Sequence, residues 1–441
     1  MDVSCSFRGI LSGPGTMTVT PAPTARRDQT LDAVRGFAVL GILLMNIVSM
    51  GMPGYAYLDP NWYGGADGAN LAVWQGMYVL VDGKMRCLFT LLFGAGILLV
   101  TGRAEQTGRG AAGLHYRRMG WLLLFGAAHG WLLWYGDILL PYALAGMAAF
   151  FARRWRPRAQ FWTGTLLVLA LAAFHTWGGH EAALLQQAAQ APNATAEDLA
   201  AWQTYLSRAV PPPESLQFEI EGYRGDFLSA FQARLPMIQL FTFIFLPTDT
   251  FWEVLGFMLI GMALYQTGFF TGGWKTRTYL IVIALGYGVA APATWWLSDQ
   301  LLRSAFSPPI IEGTTAMGIV PRPFLALAHA SVVILIVKSG ALGFVANRLA
   351  AVGQMALSNY LATTLMTTTL FYGYGFGLFG KLQRWELYLV VIAVWIVLLA
   401  WSRPWLQAFR FGPFEWLWRS LTYLKPQPFR RRAEPALDAA A

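Results

Sequence analysis

Leu31-Asp32-Ala33-Val34-Arg35-Gly36-Phe37-Ala38-Val39-Leu40-Gly41-Ile42-Leu43-Leu44-Met45-Asn46 is an apolar helix with ions at its start and an amide further along. A hydrocarbon core penalises every unpaired charge or polar group, so polar residues in such a helix serve a bundle interior, a cavity or a headgroup region. The stretch reads as a membrane helix with a task. The surrounding chain agrees: 441 residues, 56% hydrophobic and only 12% charged, with mean hydropathy +0.45. That is too apolar and too poor in charge for a soluble globular protein.

Outward from this helix, taking about 20 apolar residues as one crossing, spans fall near 33–52, 74–101, 118–135, 137–152, 159–177, 250–268, 278–297, 323–339, 350–373 and 385–403. The expected fold is an all-α polytopic membrane bundle of about ten transmembrane helices. Basic residues such as Arg103, Arg117, Arg118, Arg153, Arg154, Arg156, Arg158, Lys275, Arg277 and Arg348 fall on one side, with the arginines of both tails. The opposite side receives fewer, Arg208, Arg224, Arg234, Arg303, Lys381 and Arg384. This asymmetry places both termini in the cytoplasm.

The chain divides into a disordered cytoplasmic tail over 1–30, a five-helix membrane part over 31–177, and an extracytoplasmic amphipathic loop with a possible half-helix over 178–249. A second five-helix part over 250–424 and a basic cytoplasmic tail over 425–441 complete it. The piece from Met237 to Pro247 reads as a half-helix or a re-entrant segment. The net charge of +9 sits in short clusters between apolar runs, which an orientation signal explains better than a nucleic-acid partner. Cys5 and Cys87 offer neither a disulfide framework nor metal-ligand spacing, so no metal and no bound cofactor is expected.

The polar residues inside the apolar spans are the candidate site. Asp82 and Arg86 stand four apart in the second span, where an internal ion pair is geometrically natural, while Lys84 needs another partner. His129 lies in the third span and Asp137 at its end; eight residues is two turns, beyond direct contact unless the chain bends at Gly136. Asn46, Glu253, His329, Asn359 and Tyr360 fall in other spans, and all of these can converge on one outward-opening cavity. Each has a second, structural reading. Arg35 suits a headgroup anchor as well as a phosphate contact, Asp82 with Arg86 suits a structural ion pair, and Asn46, His329 and Asn359 suit interhelical hydrogen bonds.

Several motifs together carry a family resemblance. They are Asp32-x-x-Arg35-Gly36, Asp82-Gly83-Lys84-Met85-Arg86, and His129-Gly130 with Trp134-Tyr135-Gly136-Asp137. Glu219-Ile220-Glu221-Gly222-Tyr223-Arg224-Gly225, Gly353-Gln354-Met355-Ala356-Leu357-Ser358-Asn359-Tyr360 and Phe411-Gly412-Pro413-Phe414-Glu415-Trp416-Leu417-Trp418-Arg419 complete the set. In this order the chain resembles the YeiB-like bacterial inner-membrane family, and more distantly the transmembrane acyltransferases. The resemblance implies a bundle in the bacterial cytoplasmic membrane that carries an acyl group from cytoplasmic acyl-CoA, as co-substrate, to a hydroxyl or amine on the far side. The acceptor would be a cell-surface glycan, a lipid or a small molecule.

The glycan acyltransferases carry a histidine where this chain has Asn46, and asparagine cannot act as a general base. His129 is the alternative base, with Asp137 or Asp82 orienting it. Lys84, Arg86 and Asn46 are the candidates to stabilise an oxyanion, and Arg35 with the cytoplasmic arginines the candidates to meet the donor's phosphates; Glu253, Asn359 and Tyr360 join the donor-binding set. The competing class is a proton-coupled small-molecule transporter or exporter, for which buried Asp, Arg, His and Glu are equally suitable equipment.

Overall fold

The computed structural model describes residues 24–108 and 110–431, with side chains from residue 29 onward. Most of the expected N-terminal tail and the end of the C-terminal tail therefore lie outside the described residues. Helices α1 (Thr24–Gly51), α2 (Gly68–Leu80), α3 (Lys84–Gln106), α4 (Ala111–Leu132), α5 (Leu139–Ala149) and α6 (Pro157–Gln190) come first. Helices α7 (Ala196–Ala209), α8 (Pro213–Arg224), α9 (Phe227–Gln239), α10 (Phe251–Gln266), α11 (Thr276–Leu285) and α12 (Ala291–Arg303) follow. The last are α13 (Pro308–Ile319), α14 (Arg322–Ser339), α15 (Gly343–Gln354), α16 (Ala356–Phe371), α17 (Arg384–Ala408) and α18 (Pro413–Tyr423). Among the described residues there is no strand, and the fold is an all-α bundle.

Among the described residues, seven helical stretches are long and apolar enough to cross a bilayer: Gln29–Gly51, Gly68–Gln106, Pro157–Gln190, Phe227–Gln266, Thr276–Arg303, Arg322–Ser339 and Arg384–Ala408. The chain is a multi-pass membrane protein. The other three expected crossings are helical but different in kind. The first is α4, which includes His115, Arg117 and Arg118. The second is the 11-residue α5, and the third is divided between α15 and α16 at Met355.

One expectation is corrected. The segment from Met237 to Pro247 is no half-helix: α9 runs into α10 through a π-helical stretch, Leu240–Thr250, making one rod of 40 residues. Pro247 cannot donate to a helical ladder, and the wider π register lets the chain continue past it. The described part of the C-terminal tail, residues 425–431, packs back on the bundle. Gln427 accepts from Trp416 Nε1 at 2.8 Å, and the Phe429 ring packs 4.6 Å from that of Phe409.

Glycines set the closest helix contacts, as expected where van der Waals packing replaces the hydrophobic drive. A Cβ on Gly36 would lie 1.9 Å from the Leu349 carbonyl oxygen, and one on Gly353 would lie 1.9 Å from that of Asp32. The Arg35-Gly36 and Gly353-Gln354 motifs are thus two halves of one α1–α15 contact. At the same end of the bundle α18 lies against α4, where Trp418 Nε1 donates to the Arg118 carbonyl at 2.8 Å. The start of α1 and the C-terminal helix therefore share an end.

The opposite end is closed by α8. Glu219 accepts from the Gly54 amide at 2.7 Å, Arg224 Nε donates to the Phe379 carbonyl at 2.8 Å, and the Gly373 amide donates to the Tyr223 carbonyl at 2.8 Å. Residues 219–225 are a clasp on the turn after α16.

Candidate functional site

Helix α4 stops at Leu132, and the amides of Leu133 and Trp134 both return to the His129 carbonyl at 3.0 Å. Arg234, fully buried on α9, covers that helix end by donating to the carbonyls of Leu132 at 2.6 Å and Leu133 at 3.3 Å, where the helix dipole favours a cation. The chain then folds back. The Trp134 indole lies over Gly136 so closely that a Cβ there would sit 2.2 Å from the ring. The bend delivers Asp137 to His129: Nδ1 is 2.8 Å from Asp137 Oδ1. Two turns of separation are closed because the helix has ended between the two residues. Asp137 Oδ2 accepts from the Leu140 amide at 2.7 Å, so the carboxylate is held by the start of α5.

A carboxylate accepts and does not donate, so Nδ1 carries the imidazole proton and Nε2 is left as the acceptor. Nε2 stands 2.9 Å from Thr364 Oγ1 on α16; in this tautomer the hydroxyl donates to Nε2, with the Tyr360 carbonyl at 3.4 Å as its second, longer acceptor. The His129 side chain is 1% exposed and that of Asp137 4%. The ring of Tyr360, one turn before Thr364, is centred 5.0 Å from the imidazole.

A cavity of about 390 Å³ occupies the end shared by α1 and α18. Its mouth carries Arg35, Arg103, Arg118, Arg410 and Arg419, with Asp32 and Glu415 as the acidic members. Its inner walls are apolar and end at Leu139, Tyr142 and Tyr360, the last packed on His129. Burial pushes the Glu415 carboxyl up, against the lowering effect of the Ser358 hydroxyl and of the amides it accepts from. A second, smaller cavity of about 40 Å³ touches the other side of the pair, lined by Gly130, Trp131, Tyr135, Asp137, Thr242 and Thr250 among others.

The second polar cluster differs from expectation. Arg86 does not turn to Asp82: its Nη2 is 2.7 Å from Glu253 Oε2, and Arg322 pairs with the other oxygen of the same carboxylate. The reason is the break between α2 and α3. Gly83 adopts φ +70° and a Cβ there would lie 2.3 Å from Arg322 Nε, so the Asp82-Gly83-Lys84-Met85-Arg86 motif is a left-handed corner on which Arg322 rests. Asp82 accepts from the Tyr57 hydroxyl; burial, then the Asp82 charge, pushes that phenol well up and keeps it a donor. Lys84, 4% exposed, donates to the Tyr78 carbonyl at 2.6 Å.

The remaining candidates divide between the cavity mouth and the packing. Arg35 lines the large cavity and pairs with Asp32 at 2.8 Å. Asn359 is a joint between helices, donating to the Val352 carbonyl and Ser402 Oγ at 3.1 Å each and accepting from Trp401 at 3.0 Å. His329 bridges the Leu80 carbonyl at 2.8 Å and the Tyr287 hydroxyl at 2.6 Å. Asn46 is half-buried and lines neither cavity. Thr364 and Arg322 touch the candidate residues but are not singled out by the sequence pattern. Arg103, Arg118, Arg410 and Arg419 are visible in the sequence only collectively, as cytoplasmic arginines that orient the chain and could meet the donor's phosphates, and the spacing of Tyr360 and Thr364 on one helical face is the available clue to the threonine.

Comparison with known proteins agrees with the motifs. The chain is 34% identical over 423 residues to the uncharacterized protein YeiB of Escherichia coli (strain K12), covering 93% of this chain and 98% of that protein. It belongs to the YeiB-like family. A family model described as a protein of unknown function (DUF418) matches residues 264–425. The uncharacterized protein YxaH of Bacillus subtilis (strain 168) is 29% identical over 441 residues, 95% of this chain and 99% of that protein. An uncharacterized 39.9 kDa protein in the amylase 3′ region of Bacillus acidopullulyticus is 24% identical over 430 residues, 94% and 99%. No solved structure matches.

Proposed function

We propose that this protein is a membrane acyltransferase of the bacterial cytoplasmic membrane, moving an acyl group from cytoplasmic acyl-CoA to a hydroxyl or amine acceptor on the far side. One observation carries the reading: the buried His129–Asp137 pair adjoins both cavities, with Asp137 lining the smaller one and Tyr360, packed on the imidazole, lining the arginine-mouthed one. The cavity chemistry suits an anionic head on an apolar tail. The arginines are the fixed donors that phosphate oxygens require; with the phosphates there, the donor's pantetheine arm runs along the inner walls and brings the thioester toward Tyr360 and Leu139. His129 receives the proton of the attacking nucleophile at Nε2, and Asp137 stabilises the resulting imidazolium while holding the ring. The charges of the second cluster are matched to protein partners, which gives the transport reading less support.

The test uses the full chain in nanodiscs with a series of acyl-CoAs from acetyl to palmitoyl. At least one member should raise the melting temperature and, with water or an added alcohol as acceptor, release free thiol above an empty-nanodisc control. If no member binds and thiol release equals the control, acyl transfer is rejected and transport becomes the leading reading.

A further inference from the structure

We infer that Thr364 is the nucleophile of the reaction, so that the acyl group crosses the site as a Thr364 ester. The inference rests on the acyl-transfer reading and adds a covalent step to it. Both imidazole nitrogens of His129 are already taken by protein: Nδ1 by Asp137 at 2.8 Å and Nε2 by Thr364 Oγ1 at 2.9 Å. An external acceptor would have to displace Thr364 to reach the base, whereas the threonine hydroxyl is in position and donating. The order hydroxyl, imidazole, carboxylate, with the carboxylate itself fixed by the Leu140 amide at 2.7 Å, is the arrangement that activates a side-chain oxygen.

The position of Thr364 along α16 fits a relay. α16 begins at Ala356 beside Glu415, at the arginine-rich end. Tyr360 forms the inner limit of the large cavity, and Thr364 follows on the same face, about 6 Å deeper by the helical rise. The smaller cavity touches Asp137 and Gly130, on the other side of the imidazole. Thr364 itself lines neither cavity: it follows one turn after Tyr360 of the larger one and bonds the imidazole whose partner Asp137 lines the smaller one, so a donor from one end and an acceptor from the other each reach it past one intervening side chain.

In the first half-reaction Thr364 Oγ bonds to the thioester carbonyl carbon as its proton passes to His129 Nε2. The C–S bond breaks, and the sulfur leaves as free CoA thiol with that proton. In the second, an acceptor O–H or N–H attacks the threonine ester and gives its proton to Nε2. The C–O bond to Thr364 breaks, and the proton returns to the threonine oxygen. No oxidant or reductant is involved.

Rapid-quench single turnover on the nanodisc protein, with the acyl-CoA that gives the strongest thermal shift, tests this directly. The expected result is a burst of one thiol per protein and the mass of one acyl group on the α16 peptide. Thr364→Val should lose the burst and the adduct, with thiol release lowered on the order of 10³-fold or more, while the donor still raises the melting temperature. Thr364→Ser should keep both. Thr364→Cys should move the acyl group into a thioester that neutral hydroxylamine cleaves, a signature that a purely structural threonine would not produce. Steady thiol release with no burst, no adduct and a normal rate in Thr364→Val would overturn the inference and leave acyl transfer standing. Absence of binding and release across the whole series overturns both.

Discussion

The chain buries two polar clusters built from motif residues, and they differ in access. Around Glu253, Arg86 and Arg322 neutralise one carboxylate, Asp82 is held by Tyr57, and Lys84 is tied to a backbone carbonyl. Each of these charges has a protein partner, although Arg86 keeps 31% of its side-chain surface exposed, and the cluster sits at the corner where α2 becomes α3. Around His129 the polar groups are fewer, yet cavities approach from two sides. Buried charge by itself therefore does not mark the reactive place in this bundle. A network satisfied by its own members fixes helix geometry, while a weakly charged pair at the junction of two cavities can meet a substrate.

The sharpest way to break this contrast is a pair of substitutions with crossed outcomes. His129→Ala should lower thiol release from acyl-CoA by roughly 10²–10⁴-fold while leaving donor binding nearly intact, because a proton acceptor acts on the transition state. Glu253→Ala should do the reverse, leaving two guanidinium groups without their carboxylate and costing about 3 kcal/mol of stability. That is the low end of the range for a broken buried pair, because Arg86 keeps 31% of its side-chain surface exposed. Yield of folded protein and melting temperature should fall, with release per folded molecule retained. Pairing Glu253→Leu with Arg86→Met should recover part of the loss in a double-mutant cycle. If Glu253→Ala is well folded but inactive, this cluster belongs to the reaction and the contrast fails.

Much of the fold is legible in the sequence because apolar length is a strong signal, and the reading misses where a break is local. The division at Met355 interrupts an apolar run that composition reads as continuous; the corner at Gly83 interrupts another, but there the glycine itself suggests a broken helix. The rod through Pro247 is the opposite case, a proline that suggests a break and meets a π-helical stretch instead. Of the site, His129, Asp137, Arg35 and Tyr360 are legible as polar groups in apolar surroundings. Thr364 is not, since threonine is unremarkable in a membrane helix until a partner on another helix is known. The cavity arginines are visible but absorbed into the orientation signal, because a sequence gives no means of separating an arginine facing headgroups from one facing inward.

A middle-sized effect tests that distinction. Arg35→Ala and Arg419→Ala should each weaken acyl-CoA binding by about 1.5–3 kcal/mol, the range for a hydrogen bond to a charged group, without removing turnover at saturating donor. Both remove a cavity-mouth cation. Added salt should weaken wild-type binding more than binding to either variant, since each variant has one phosphate contact fewer for salt to screen. Arg277, counted on the same side of the membrane but absent from the cavity lining, should be replaceable by alanine with no change in donor affinity. Equal losses at Arg277 and Arg419 would reduce the mouth to a diffuse surface charge.

The smallest effect concerns the outer edge of the open region. Glu219 on the α8 clasp accepts from the Gly54 amide at 2.7 Å, next to Tyr135 of the smaller cavity. Burial pushes its carboxyl up, outweighing the downward pull of that amide. A carboxyl raised on folding binds its proton more tightly in the native state, so its contribution to stability is fully present below the unfolded value of about 4.3 and is lost as pH rises through the higher folded value. In that window the wild-type melting temperature should fall with rising pH more steeply than that of Glu219→Gln, whose amide oxygen still accepts from Gly54 but does not titrate. Proteolysis near Pro212 should follow the same course, because the clasp holds α8 to the Gly54 turn. A Glu219→Gln variant with the full wild-type slope would show that the clasp does not loosen with pH, and the outer edge of the His129 region would then be as firmly held as the cluster around Glu253.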